Sequence, residues 1–372
     1  MSRLDGFTRW CPRALLLLGL FVLMGCSSED PVCPTPVVPA PDPVVWISYR
    51  DNTFGDLKVA AKKERSWARE TIDSNGDVGY ATAIAVDAQG NPHISYRDAT
   101  NQDLKYAVMA GGSWTIETVD AVGTVGGETS IAVDAQGRPH ISYHDYTNVD
   151  LKYAVKSGGS WSIGIVDAAG NVGYYTSIAI DGQGNPHISY QDGTNVDLKY
   201  AVKTGGTTWT PVTVDGVGNT GYFTSLKIDG QGRPHISYYD GSNADLKYAV
   251  KTGGAWAAET VDAAGNMGGW TGLALDVQGR PHISYSDVTN VDLKYALKSG
   301  GTWSLETVDY IGERGYFTSI ALDASGNPHI SHYDAANDDL KYATKSGGIW
   351  FLEIVDADWD MGNSSTSIAV TR

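Results

Sequence analysis

The stretch "PHISYRD" spans residues 92–98, and its first five letters return at 139–143, 186–190, 234–238 and 281–285, with a near copy, "PHISH", at 328–332. The histidine recurs as His93, His140, His187, His235, His282 and His329, at intervals of 47, 47, 48, 47 and 47 residues. One step of 47 back from His93 lands on Trp46 in "VVWISYRD", residues 44–51, which makes a seventh copy. Six copies of one residue could be ligands, binding sites or pieces of scaffold, and the choice among these decides most of what the sequence says about function.

A period of 40 to 50 residues built from short β-rich runs is the signature of propeller blades, whereas helical repeats would carry an apolar period near 3.6 residues. Each unit parses into four segments, in the second unit Thr82–Val86, His93–Arg97, Leu104–Val108 and Trp114–Val119, here termed A to D. "DAQGNP" between A and B and "AGGS" between C and D supply the Gly, Asn and Pro of tight antiparallel connections. The array begins at a B segment, and after the last D segment, "IWFLEIVD" at 349–356, it ends with "STSIAVTR" at 365–372, which matches segment A. The C-terminal segment therefore supplies the strand that the first unit lacks, which in a ring removes a raw sheet edge. The sequence predicts an all-β fold: a seven-bladed β-propeller of four-stranded antiparallel blades over residues 44–372, closed by the C-terminal strand pairing in the first blade.

Residues 44–372 thus resemble seven-bladed β-propellers, with a looser likeness to the Asp-box, sialidase-like group and to propeller lectins. The likeness rests on "KSGGSW" at 156–161 and "KTGGAW" at 251–256, which share the glycines and tryptophan of an Asp-box but carry Lys where the box has Asp. It implies an architecture and no particular activity, because this fold hosts hydrolases, lyases, lectins and scaffolds alike.

The period-two alternation of a strand puts His93, Ser95 and Arg97 on one face and Pro92, Ile94 and Tyr96 on the other. Blades pack face to face, so an imidazole there is buried and needs a partner. The Asp that ends each A segment (Asp87, Asp134, Asp181, Asp229, Asp276, Asp323) or a hydroxyl of the next blade would serve. A residue demanded by six blades serves something that all blades need, and the six histidines are expected to be structural. The lysine of "DLKY" is likewise expected to be scaffold, with Lys105 opposite Glu117 across the C to D hairpin. Asp98, Asn101 and Asp103 in the B to C loop carry oxygen ligands, but these are also ordinary turn residues, and neither a metal nor a cofactor is expected.

The first residues form a different region. Arg3, Arg9 and Arg13 precede the apolar run Ala14–Met24, which is too short to span a bilayer, so residues 1–25 read as an export signal. "LMGC" ending at Cys26 resembles the lipobox of bacterial lipoproteins, which implies lipidation of Cys26, attachment to a membrane, and, with Ser27 following, an outer-membrane or cell-surface location. The Pro-rich stretch to residue 43 reads as a semi-rigid spacer. Cys33 within it is open to an intermolecular disulfide, while the globular part contains no cysteine. The chain carries −16, which becomes −18 once the three arginines and one aspartate of residues 1–25 are set aside, and such an acidic body gives no electrostatic reason for nucleic-acid binding.

The D to A crossover and the B to C loop of each blade are expected on one rim, around the mouth of the central channel. Before segment A the repeats read "GYA", "GGE", "GYY", "GYF", "GGW", "GYF" and "GNS", so Tyr175, Phe223, Trp270 and Phe317 share one position, which Glu128 fills with a charge. Aromatic faces beside carboxylates and amides suit carbohydrate, although large residues before a strand also pack between blades. Glu128, Lys227, Glu313, Arg314, Asp358 and Asp360 break the repeat. Arg138, Arg233 and Arg280 fall in A to B turns on the opposite rim, leaving Arg314 nearly alone on the mouth side, without the arginine triad of a sialidase-like site. No pattern sets an acid against a base. The expectation is a monomeric, membrane-anchored binding module for a glycan, the alternatives being a scaffold for a surface protein, and a sialidase-like hydrolase or lyase.

Overall fold

The computed structural model describes residues 43–205, 208–310, 314–358 and 365–371; the predicted export signal and Cys26 lie outside these. Among the described residues every regular element is a strand, and 28 strands form seven four-stranded antiparallel sheets. In the second blade the strands are Val78–Val86, Pro92–Asp98, Asp103–Ala110 and Ser113–Asp120, each longer than its sequence segment. The A strands touch one another in a closed ring, in which the terminal strand Ser367–Val370 contacts both Arg314–Leu322 and Val78–Val86. That terminal strand pairs with Val45–Asp51, Val45 facing Val370 and Ser48 facing Ser367. The predicted closure is therefore present, and blade 1 is completed by residues from the two ends of the propeller.

Strand B is buried along its length because it is interior to its sheet and covered on both faces by other blades. The apolar half of each interface forms from two neighbouring blades, as where Tyr96, Ile94 and Ala107 pack with Leu57 and Val59. The polar half is a clasp. Asp73, which ends strand D of blade 1, accepts hydrogen bonds from Tyr96 Oη (2.7 Å) and Lys105 Nζ (2.6 Å), both of blade 2. The same arrangement joins Tyr143 and Lys152 to Asp120, Tyr190 and Lys199 to Asp167, Tyr238 and Lys247 to Asp215, and Tyr285 and Lys294 to Asp262. At the junction of the chain's two ends, Tyr49 and Lys58 hold Asp356. In "PHISH" the odd letter falls on this clasp: His332 takes the tyrosine's place, 3.4 Å from Asp309, which also binds Lys341.

The lysine therefore does not do what the sequence suggested. A β-bulge between Leu104 and Lys105 sets Lys105 opposite Thr118 and Tyr106 opposite Glu117, so the ammonium is turned out of its own hairpin towards the preceding blade. Glu117 is held by the following blade instead, by Lys156 Nζ (2.5 Å) and Trp161 Nε1 (2.9 Å). The Lys and Trp of "KSGGSW" are thus one outer fastener, and the tryptophan also meets Tyr106 edge-on at 5.2 Å.

The histidines sit inside each blade, bound within it. His93 Nδ1 lies 2.6 Å from Tyr106 Oη and Nε2 lies 3.5 Å from Asp87 Oδ2; the hydroxyl comes from strand C of the same blade, not from the next one. His140, His187, His235 and His282 repeat the pair of contacts, and His329 binds Tyr342 with Asp323 at 3.6 Å. Asp87 meanwhile caps the A to B turn by accepting the N–H groups of Gln89 and Asn91, and where Asn is replaced by Arg138 the guanidinium returns to Asp134 at 2.6 Å. Asp98 binds the backbone and side-chain nitrogens of Asn101, each at 2.9 Å, so its oxygens close the B to C turn.

Two outcomes follow from these polar groups. Desolvation would raise the Asp167 carboxyl, but hydrogen bonds from Lys199 and Tyr190 outweigh it and hold the group below the usual carboxylate range. Removing the carboxylate strips the largely buried Lys199 ammonium and the Tyr190 hydroxyl of their shared partner and leaves Lys199 only the more distant Asp192, at 3.8 Å, so Asp167→Ala should cost about 3 kcal/mol by denaturant unfolding. Truncating Lys156, a half-buried lysine of the outer fastener, should cost about 1 kcal/mol or less; equal losses would deny the clasp its role. Burial lowers the proton affinity of all six histidines against the pull of their aspartates. The unfolded chain then binds more protons than the native one below pH about 6.5, so this contribution is fully present above that pH and is lost as pH falls. The melting temperature should drop between pH 7 and pH 5, and a flat profile there would contradict neutral buried imidazoles.

Candidate functional site

Ala81, Glu128, Tyr175, Phe223, Trp270 and Phe317 occupy one structural position, two residues before the A strand settles into regular pairing with B. All six have positive φ, between 48° and 52°, in the left-handed region that side chains with a Cβ seldom adopt. The pairing shows why. In blade 4 the register skips from Tyr174 opposite Gln191 to Ser177 opposite Ser189, so Tyr175 and Thr176 bulge out of the ladder. Such bulges re-aim side chains. Thr176 is turned into the blade interface, where it donates to Ser142 Oγ at 2.9 Å.

The four aromatic residues form a continuous arc across four blades. Ring centroids lie 4.8 Å apart for Tyr175 and Phe223, 5.0 Å for Phe223 and Trp270, and 5.1 Å for Trp270 and Phe317. Tyr222, Tyr239 and Tyr316 back this arc from the B strands and the neighbouring D to A segments. Each arc residue remains partly exposed. Packing between blades and presentation of a ring at the rim are thus both satisfied by the same side chains.

The wall stops at Glu128, and the remaining sector, over blades 1 to 3, is polar. Glu128 makes no hydrogen bond or ion pair among the described residues; burial raises its pKa with no neighbouring carboxylate adding to the effect. Its charge in turn raises the Tyr146 and Tyr175 phenols, after burial, which is the larger cause in both. Gly127 stands where four other blades have tyrosine (Tyr80, Tyr174, Tyr222, Tyr316), and a Cβ there would fall 2.2 Å from the Tyr146 ring, so Tyr146 fills the missing side chain's place. His144 lies fully buried between Tyr146, edge-on at 4.7 Å, and Tyr174, stacked at 4.5 Å, with neither ring nitrogen in a good hydrogen bond. Burial lowers its pKa.

Arginines at this rim were missed by the sequence. Arg50 and Arg97 are the penultimate residues of strand B on the mouth side, so Arg314 is not nearly alone there. Arg50 pairs with Asp77 at 2.5 Å and lies 3.9 Å from the Tyr80 ring centre, while Arg97 lies 5.2 Å from that of Tyr146. Nε of both is buried without a partner. Their position, the residue after the tyrosine of "PHISY", reads Arg50, Arg97, His144, Gln191, Tyr239, Ser286 and Tyr333 round the ring. It varies while its neighbours repeat, and that variation was the available signal.

Other candidates fall elsewhere. Asp358 pairs with Arg69 at 2.8 Å. Glu313, Asp360 and the side chain of Arg314 lie outside the described residues. Lys227 faces the channel. A larger cleft of about 270 Å³ opens between blades 3 and 4 on the opposite rim, but Arg138 and His140 there are engaged by Asp134, Tyr153 by His140 and Asn185 by Asp181, while Lys203 lies over the Tyr153 and Trp209 rings. No group of three metal-ligating side chains occurs among the described residues.

No protein-family model matches the chain, and no curated protein does. Many solved structures share its fold. A putative 6-phosphogluconolactonase from Bacteroides uniformis is 10% identical over 89% of this chain and 100% of its own, with a TM-score of 0.60. An ulvan lyase, a polysaccharide lyase, is 14% identical over 90% and 92%, with a TM-score of 0.52. The Aleuria aurantia lectin, in complex with a fucose–GlcNAc disaccharide, is 16% identical over 75% and 97%, with a TM-score of 0.50. At these identities the likeness is one of fold.

The left-handed position offers a test free of ligand. Ala81 has φ of 49° and no ring to pack, so Ala81→Gly should raise stability by about 1 kcal/mol in denaturant unfolding. A loss would mean that the fold does not impose this backbone geometry.

Proposed function

We propose that this chain is a carbohydrate-binding module whose site is the rim at the channel mouth. The observation that carries it is the unbroken arc of Tyr175, Phe223, Trp270 and Phe317 ending at the unpaired Glu128. Sugar rings stack their C–H faces on such aromatics, and a carboxylate or a guanidinium, here Arg97, takes the hydroxyls or acidic substituents. Two of the fold neighbours, the fucose-bound lectin and the ulvan lyase, act on or bind saccharides, which agrees with this reading without deciding it. Binding fits the site better than turnover, since burial alone perturbs Glu128 and no second carboxylate is set against it among the described residues. A lipid on Cys26 would hold the monomeric module at the outer membrane or cell surface, where several similar weak contacts gain from display at high local density.

A glycan array probed with the chain from Ser27 onward tests this directly. Trp270→Ala should weaken binding to the best glycan about tenfold, the worth of roughly one stacked ring, with its native far-UV circular dichroism spectrum retained. Unaltered affinity in that variant would remove the arc from the site. Capture of one surface protein with no glycan binding would establish the scaffold alternative in its place.

A further inference from the structure

Below the mouth, the channel-facing residues of the A strands form a second layer. Five of its seven positions are serine: Ser130, Ser177, Ser225, Ser319 and Ser367, the other two being Ala83 and Gly272. Each serine oxygen accepts a backbone N–H of the next blade's A strand, at 3.0 to 3.3 Å. A hydroxyl that accepts from the backbone still has its proton to give, and none of these five donates a hydrogen bond among the described residues. They encircle a cavity of about 130 Å³.

Two residues further along each A strand, six blades carry alanine (Ala85, Ala132, Ala179, Ala274, Ala321, Ala369) and blade 5 carries Lys227. Its side chain lines the same cavity and makes no ion pair or hydrogen bond among the described residues. It is exposed, but to the channel void, and the enclosing protein lowers its proton affinity with no carboxylate near enough to oppose this. The side chains lining the cavity include no acid. An ammonium without a counter-charge is costly in such surroundings. Every polar side chain around it is a donor.

We propose that the central channel is a binding site for a small inorganic anion, a halide or a compact oxyanion, held by the Lys227 ammonium and the ring of serine hydroxyls. A volume of about 130 Å³ admits an ion of this size, or one with a water, and excludes a sugar. The site is independent of the rim and of its ligand.

The experiment is thermal unfolding of the exported chain at constant ionic strength, with sodium gluconate, too large to enter, replaced stepwise by chloride or by phosphate. The wild type should show a saturable rise of about 2 °C with at least one of the two. Lys227→Ala, which installs the residue of the other six blades, should show none and should melt higher than the wild type in gluconate. Lys227→Met, which keeps the bulk, should also show none. In crystals soaked in bromide an anomalous peak should lie beside Lys227 Nζ in the wild type and be absent from either variant. The same anion dependence in both variants, or none in the wild type together with no bromide in the channel, would overturn the proposal.

Discussion

A carboxylate at the end of strand D, gripped by a lysine and a phenol of the next blade, is the interaction on which the rest of this molecule depends. Each of its parts would be expensive alone: Asp167 is 6% exposed and Tyr190 is fully buried, and a lone buried charge costs several kcal/mol. Together they satisfy one another, and they do so only if adjacent blades meet in a single register. Apolar packing supplies most of the free energy of contact but is tolerant of sliding. The clasp is not, because its hydrogen bonds lie within 2.5 to 3.4 Å at the seven interfaces wherever a distance of ordinary length is found. Closure repeats it, since Tyr49 and Lys58 meet Asp356 across the junction of the two ends, and an array of near-identical units whose terminal interface equals its internal ones has no weak edge from which to fray.

Repetition also explains which parts of the molecule the sequence made legible. The period, the four segments and the complementary ends follow from pattern alone, because strand alternation and turn residues are local. The histidines read as scaffold because six equivalent sites round a ring cannot converge on one ligand, and the structure buries them against a tyrosine and an aspartate of their own blade. Lys105 was not. Its partner depends on a one-residue bulge beside Leu104, and a bulge leaves no mark in composition when the extra residue is an ordinary strand former. Arg50, Arg97 and His144 were overlooked for a different reason: they hide at the one position of a conspicuous motif that does not repeat, and attention to what recurs passes over what varies. The aromatic position was found, yet its left-handed backbone was not, because Tyr, Phe and Trp are poor advertisements for positive φ.

Departures from the repeat fall into three kinds. Some are repairs within the scaffold: His332 substitutes for tyrosine in a clasp, and Tyr146 fills the room left at Gly127. Others remove a fastener without replacement, as where Gly164 and Val212 stand in the place of Glu117 and Glu259 and Trp256 Nε1 has no partner. These lie towards the outer strands, where a lost contact costs little because the inner clasp already fixes the register. Neither of these two kinds creates a chemically distinct surface.

The third group is different in place and in character. Residues outside the clasps and turns are freer to differ from blade to blade, and in this ring they lie around the axis: the left-handed residue early in strand A, the penultimate residue of strand B, and the channel face of strand A, some of which also pack or hydrogen-bond across a blade seam. There the chain places four aromatic rings, an unpaired carboxylate, two arginines with uncommitted nitrogens and a lysine with no counter-charge. Polar groups left unsatisfied are destabilising in themselves, so their accumulation along the axis runs against the economy seen at every interface. The clasps make this tolerable, because a ring fixed by seven strong contacts at larger radius can carry strained backbone and unpaired charge at its centre. Symmetry at the interfaces thereby permits asymmetry at the mouth.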